Sequence, residues 1–403
     1  VHLNHLSLTN FRNFSRLDID IPPGAVLIMG DNAQGKTSLL EAVYFLATFV
    51  SFQASSERQL INFIAGREPL AVARIVGDYS LAGASHRIEV RAIQEPNGIA
   101  SAMRLRKEVL VDGVKRKLGE AVGLFNAVLF LPQMMAVIEG APEERRRYLN
   151  LALAQVQPNY PEMLADYTKT LTQRNALLKQ LSERGGDPGQ LVYWDEQLAL
   201  TGAHLIHARI GVIRELEILA ARLHRELTHG DEVLRLCYQP SYDPFPLPPG
   251  QFALPFDSLI DRSRLSIEEI RLGLLKKLEA ARPDEIARGV TLYGPHRDEM
   301  RFLSNGMDLG IYGSRGQVRT ALLALKLAEV SWMKGKTGHW PVLLLDEVLA
   351  ELDAQRRTDL LRRLAEARQV MLTTTDLDGF TPEFVQSSKV LYIQAGRLRE
   401  RKK

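Results

Sequence analysis

Apolar and polar positions alternate at the start of the chain: Leu6 and Leu8 flank Ser7, and Leu17, Ile19 and Ile21 flank Asp18 and Asp20. Period two predicts two half-buried strands, joined through Asn10 to Phe14 and ended by Pro22, Pro23 and Gly24. Ala25 to Met29 is apolar throughout, the pattern of a strand covered on both faces. A glycine loop and helical spacing from Ser38 to Leu46 complete the strand, loop and helix that open a phosphate-binding α/β domain. From about Glu143 the period changes. Leu164, Tyr167, Leu171, Leu178 and Leu181 fall at helical steps, as do Ile206, Ile213, Leu216, Ala220, Leu223 and Leu227. Gly185 to Gly189 lies between the two runs and signals a turn. Two helices of about 25 residues, each roughly 37 Å long, are therefore expected to form a hairpin. Tyr242 to Ser263 reads as a long, proline-rich irregular loop. Ser266 and Glu269 have capping-box spacing, so a helix is expected from there to Arg282, before Pro283. Apolar runs then return at Val342 to Leu345, Val370 to Thr374 and Val390 to Ile393. The predicted architecture is an α/β head split in sequence, residues 1–140 and 289–403, with a helical arm inserted at 141–288.

The chain has 403 residues, 45% apolar and 25% charged, which describes a soluble globular protein long enough for two domains. One cysteine, Cys237, excludes an intrachain disulfide framework and a Cys-rich zinc site, and it suits a cytoplasmic setting. A formal charge of +3 is too small to argue for nucleic acid, so any binding stripe would be local. No secretory leader is expected, since Arg12, Arg16, Asp18 and Asp20 interrupt the N-terminal region. Ala121 to Ile138 is free of charge, but Gly123, Asn126, Pro132 and Gln133 punctuate it. A buried strand from Ala127 to Leu131 and a turn are expected there, and no membrane span.

Candidate chemistry sharpens this picture. Gly30, Asp31, Asn32, Ala33, Gln34, Gly35, Lys36 and Thr37 match G-x-x-x-x-G-K-[ST] at every fixed position, and Ser38 follows at the head of the helix. Glycines let the backbone wrap phosphates and present N–H groups to them. Lys36 offers a point charge to the β- and γ-phosphates, and the Thr37 hydroxyl a ligand for Mg2+. Leu343 to Glu347 supplies the complement: Asp346, at the end of an apolar strand, can hold the magnesium shell, and Glu347, pointing elsewhere, can serve as general base. Alone, such an acidic pair would more often cap a turn. The guanine-reading N-K-x-D pattern is absent, which favours ATP.

Ser314, Gly316 and Gln317 match the S-x-G-Q core of the ABC-type ATPase signature and precede a predicted helix, Val318 to Lys334. In that superfamily the signature reaches across a dimer interface to the γ-phosphate on the partner's phosphate loop. Hydroxyl, glycine N–H and helix N-terminus are all anion donors.

Further segments make the resemblance specific: Asn10 to Phe14, Leu39 to Tyr44, Glu139 to Arg147, Gly294 to Asp298, Leu344 to Val348 with Glu351 to Asp353, and Thr373 to Asp376. In order and spacing the chain resembles the RecF family of bacterial recombination and gap-repair ATPases, short-armed relatives of the SMC proteins. That resemblance implies an ABC-type head that dimerises on ATP, clamps double-stranded DNA at single-strand/double-strand junctions, acts with RecR in recombinase loading, and hydrolyses ATP slowly with DNA stimulation. It also implies residue roles. Arg12 would lie near the phosphates, and Gln133 in the Q-loop would link magnesium to the lobe carrying the arm. Asp353 in the D-loop would contact the partner's site. Thr375, at the switch position, would sense the γ-phosphate but handle a proton poorly, which predicts slow turnover. Two departures stand out: Pro132-Gln133-Met134 replaces a common acidic pair, and Asp346-Glu347 replaces the usual two aspartates.

For DNA, one basic set gathers Arg104, Arg106, Lys107, Lys115, Arg116 and Lys117, and another Lys169, Arg174, Lys179 and Arg184. Each reads equally as a phosphate-binding stripe or a solvated face. Arg145 to Arg147 reads as structural salt bridging or a partner interface. Two other functions share the motifs, a transporter ATPase subunit and a non-catalytic ATP-binding adaptor. The long insertion between Lys36 and Ser314 argues against the first, and Glu347 against the second.

Overall fold

Period two at the N-terminus becomes an antiparallel ribbon, His2–Phe11 against Phe14–Asp20, in a computed structural model that describes residues 1–54, 56–96, 103–243 and 262–399. Residues 244–261, most of the expected proline-rich loop, lie outside the described residues. The chain divides into two compact units, Val1–Gln133 with Met333–Lys403, and Met134–Trp332.

The first unit holds two six-stranded sheets. One is antiparallel and extends the N-terminal ribbon through Ala71–Leu81, Ala84–Pro96, Met103–Val111 and Val114–Arg116. The other is parallel at its centre, in the order Lys389–Gln394, Gly24–Met29, Gln369–Thr374, Val342–Asp346 and Ala127–Phe130, with Arg397–Arg399 antiparallel at one edge. The helix Lys36–Thr48 touches strands of both sheets. Eleven of its thirteen residues are buried, which explains why it is apolar around its whole circumference instead of on one stripe.

The second unit is mainly helical. Tyr160–Arg184 and Leu191–Leu227 form the expected hairpin, though the second helix runs to 37 residues where about 25 were expected. The turn signal marked where this helix begins. Nothing in the sequence marked an end before Leu227. A three-stranded antiparallel sheet, Met307–Asp308, Glu299–Ser304 and Leu234–Gln239, completes the unit.

Two boundaries differ from expectation. The stretch 289–332, assigned to the head, belongs to the second unit, and 134–140 does too. Glu299–Ser304 pairs along its full length with Leu234–Gln239, Arg145 holds Glu299, and Trp332 Nε1 donates to Glu215 at 2.7 Å, so these segments share one core. The capping box at Ser266 and Glu269 forms as expected, but its helix, Ile267–Arg288, continues through Pro283. Losing a helical hydrogen bond at a proline costs about 3 kcal/mol. The compensation is ionic: Arg282 reaches Asp195 at 2.6 Å, and Glu285, one turn on, receives Arg174 at 2.6 Å and the Leu292 amide at 2.7 Å. Only a continuous helix puts both residues on that face.

Arg174 is thereby removed from the basic DNA set. It is fully buried, bound to Asp195 and Glu285 and donating to Thr291 at 2.8 Å. Asp298, in the Gly294 to Asp298 segment, is similarly buried, holding Arg209, Tyr238 and the Ser241 amide. Burial raises its carboxyl above the ordinary range against the pull of Arg209. His296, in the same segment, accepts from the Tyr167 hydroxyl at 2.6 Å through Nδ1 and faces the Thr291 carbonyl with Nε2. Burial pushes it down to about 4. Gly294 sits at φ 131°, where an added Cβ would lie 2.5 Å from the Tyr167 hydroxyl oxygen.

Two outcomes are expected. Arg174→Ala strands two buried carboxylates and should cost roughly 3–5 kcal/mol in urea unfolding. His296 is neutral in the fold but titrates near 6.5 when unfolded, so its contribution is intact above that pH and falls away as pH drops toward 4. About 3 kcal/mol should be lost across that window, and His296→Gln should flatten the slope.

Candidate nucleotide-binding site

The parallel strand Gly24–Met29 delivers the chain to Gly30, whose amide donates to the Thr374 carbonyl at 3.3 Å. A Cβ at Gly30 would lie 2.4 Å from the Ile393 carbonyl oxygen, so the loop must start with glycine. Gly35 turns into the helix at φ 110°, where side chains are disfavoured. Asp31, Asn32 and Ala33 are exposed, and Gln34 is anchored. Its carbonyl accepts from Gly396 N at 3.1 Å and Asn13 Nδ2 at 3.2 Å, and its side-chain Oε1 from Ala395 N at 2.6 Å. The loop is therefore braced by the turn of the last hairpin. Ser38 is half-buried in the first turn of the helix.

Lys36 is buried at 4% exposure. Nζ donates to the carbonyls of Gly30 at 2.7 Å and Asp31 at 3.1 Å and lies 3.2 Å from Glu347 Oε1. Glu347 was expected to point elsewhere than Asp346, and its carboxylate meets Lys36 while that of Asp346 meets Thr37 and Thr373. The Thr37 hydroxyl lies 3.0 and 2.9 Å from the two carboxylate oxygens of Asp346. Asp346 also accepts from the Thr373 hydroxyl at 2.6 Å, its register partner on the adjacent strand. Burial raises the Asp346 carboxyl, opposed by the hydrogen bonds from Thr373 and Thr37. Glu347 takes φ 52°, its amide donating to Thr373 Oγ1 at 3.0 Å. Thr373 thus holds two successive acidic residues, a function that sequence reading did not assign to it.

A hydroxyl and a carboxylate in contact, at the head of a helix beside a phosphate loop, form a donor set suited to a hard divalent cation such as magnesium. Gln133 is exposed in the short turn Pro132–Met135, three residues beyond Phe130, whose register partner is Leu345 in the strand that ends at Asp346. It follows the same, C-terminal end of these parallel strands.

Three other expected residues have partners of their own. Arg12, expected near phosphates, is committed to Glu41, with Nε and Nη2 each at 2.7 Å from its two oxygens, and it also donates to the Gln59 carbonyl. Glu41 is fully buried, one helical turn after Thr37, and is bonded to Ser51 as well. A lone acid inside the apolar run from Leu39 to Leu46 was the sequence signal for such a partner. Asp353 caps the helix Ala354–Ala365, accepting from Arg356 N at 2.9 Å, and that bond holds its carboxyl below the usual range. Thr375 is exposed just after Gln369–Thr374 and meets Asp376 at 3.3 Å.

The structure brings Lys36, Thr37, Asp346 and Glu347 together in the first unit. Ser314, Gly316 and Gln317 belong to the second. There Ser314 caps the helix Arg315–Thr337: its Oγ accepts from Gln317 N at 3.3 Å, and Gln317 Oε1 accepts from Ser314 N at 3.0 Å. Ser314 and Gly316 are exposed.

Of the basic residues, Arg106 and Lys115 pair with Glu108 and Lys107 with Glu57, whereas Arg104, Arg116 and Lys117 are exposed. Lys169, Lys179 and Arg184 remain at the surface of the first arm helix. Arg145 and Arg146 are structural: Arg145 binds Glu299, and Arg146 donates to the Asp298 carbonyl at 2.9 Å. No helix among the described residues is long and apolar enough to cross a membrane.

Fold and site together define a P-loop ATPase head of the SMC class. The family model for the RecF/RecN/SMC N terminal domain matches residues 2–395. The DNA replication and repair protein RecF of Roseiflexus castenholzii is 40% identical over 413 residues, covering 99% of each chain. A solved structure of the recombination mediator protein RecF-ATP in the RecFOR pathway matches with TM-score 0.83 and 31% identity, over 100% of this chain and 98% of that one. An SMC head bound to the C-winged helix domain of ScpA shares the fold, at TM-score 0.52 and 13% identity over 99% and 96%. The chain belongs to the RecF family of DNA replication and repair proteins.

The Arg12–Glu41 pair carries an expected outcome. Glu41→Gln should lower stability by roughly 1.5–3 kcal/mol in urea unfolding, the scale of a hydrogen bond to a charged group. An unchanged midpoint would show that Arg12 is held by other contacts.

Proposed function

We propose that this chain is an ATP-dependent DNA-binding protein of recombinational repair, acting in the cytoplasm. Two heads pair on ATP, clamp duplex DNA at the edge of a single-stranded gap, and open after slow, DNA-stimulated hydrolysis. RecR is the partner the family suggests, with recombinase loading as the outcome. The observation that carries the reading is the convergence of Lys36, Thr37, Asp346 and Glu347 at one end of a parallel sheet. That a relative is described with ATP supports the choice of nucleotide.

In this reading the amides from Gly30 to Ser38 and the Lys36 ammonium grip the β- and γ-phosphates. Thr37 and Asp346, with Gln133, would hold magnesium, which when bound neutralises phosphate charge. Glu347 accepts the proton of the attacking water. Arg12 leaves Glu41 for the phosphates, and Thr375 senses the γ-phosphate without relaying a proton. Ser314, Gly316 and Gln317 of a second copy close the site, and Asp353 approaches the partner's nucleotide. The energetic logic is linkage: ATP drives pairing only insofar as it binds the paired state more tightly. Arg104, Arg116, Lys117, Lys169, Lys179 and Arg184 are the candidate phosphate contacts, which makes DNA affinity fall steeply with salt.

Sedimentation with ATP and duplex DNA tests the shared site. Lys36→Ala and Ser314→Arg should each abolish ATP-dependent association. Mixed, they should recover part of it, because one of the two sites in a mixed pair has an intact loop and an intact signature. Association unaffected by either change would sink the reading. Glu347→Gln should retain ATP binding and prolong the associated state while hydrolysis drops by about 100-fold or more.

A further inference from the structure

The signature turn rests on a residue outside its motif. Gln317 Nε2 donates to Glu232 Oε1 at 3.1 Å, and Glu232 Oε2 accepts from the Ser304 hydroxyl at 2.8 Å. Glu232 lies in the link between the long helix Leu191–Leu227 and the strand Leu234–Gln239, its side chain only 21% exposed. All of these residues belong to the second unit. A glutamine amide has two faces, one donating and one accepting, and either could meet the Ser314 amide. An ionised carboxylate only accepts. Glu232 therefore requires the NH2 group of Gln317 and turns its carbonyl toward Ser314 N, the orientation observed. With the amide reversed, two donors would face each other at Ser314 N and the reciprocal cap would be lost.

We infer that Glu232 is a positioning residue for the signature turn: by fixing the Gln317 amide, it holds Ser314 in the geometry needed to meet a second copy's nucleotide. This rests on the shared-site reading proposed above. The cap consumes the Ser314 oxygen as an acceptor and leaves its hydroxyl proton for an anion.

The test reverses the polarity of the Glu232–Gln317 bond. In Gln317→Glu two carboxylates face each other, and ATP-dependent association of the full chain, measured by sedimentation with ATP and magnesium chloride, should weaken about tenfold. Glu232→Gln combined with Gln317→Glu restores a donor facing an acceptor. The introduced carboxylate can still accept from Ser314 N, so association should return close to wild type. Glu232→Gln alone should weaken association while leaving binding of fluorescent ATP to the subunit's own loop unchanged. A merely structural role would instead lower the melting temperature without rescue by the double variant. Association that is unaltered in Gln317→Glu, or not recovered in the double variant, overturns the inference. Ser314→Arg separates the two levels: if it associates like wild type, the shared site itself has failed. If it abolishes association while the reversed pair shows no coupling, only the role of Glu232 falls.

Discussion

The site depends on one register. Asp346 and Thr373 stand opposite each other on adjacent parallel strands, and Thr373 in turn is paired with Ile28, two residues before the phosphate loop begins. Three segments distant in sequence are thereby fixed within a hydrogen bond of one another, with Asp346 joined to both Thr37 and Thr373. A shift of one residue in either pairing would turn Asp346 to the opposite face of the sheet. The largely apolar, buried strands make such a shift costly, because side chains on both faces would have to be repacked.

The second unit solves a different problem. Its long helices carry buried charges, Arg174 and Arg209, where an apolar core would be simpler. Buried ion pairs seldom add net stability over hydrophobic packing, but removing one partner is expensive. Arg174 bridges carboxylates from two other helices, Asp195 and Glu285, and Arg209 meets Asp298 near the start of the strand Glu299–Ser304. Each arginine thus accepts only one arrangement of its neighbours. The same demand carries a helix through Pro283, where local propensity alone would end it.

In the first unit the N-terminal ribbon and the loop-bearing parallel strands were legible in the sequence because their signals are local, whereas the strands from Ala71 to Arg116 were not read. Period-two alternation marked the ribbon, a continuous apolar run marked the loop strand, and the glycines of the loop occupy positions where a Cβ would clash or φ is positive. What was not legible depends on pairing across distance. Arg174 lies on a helix face that looks basic in sequence, and only the positions of Asp195 and Glu285 show that it points inward. The return of the chain to the α/β pattern was placed too early, since a short strand such as Glu299–Ser304 does not reveal which sheet it joins. The acidic pair was read from its place after an apolar strand, yet its present partners, Lys36 and Thr373, follow from register and from the left-handed turn at Glu347.

That turn bears on how such a site could be coupled to its ligand. An ammonium has three protons, and in the structure the Lys36 ammonium faces Gly30 O, Asp31 O and Glu347. An incoming anion cannot add a fourth partner, so it must displace one. The carbonyls are backbone groups of the loop itself, whereas Glu347 meets the ammonium through a side chain that is 44% exposed. An anion arriving at Lys36 would therefore have to displace the Glu347 carboxylate from the ammonium. Until then each side chain offsets the other's charge, and neither ion is left without a partner beside the loop.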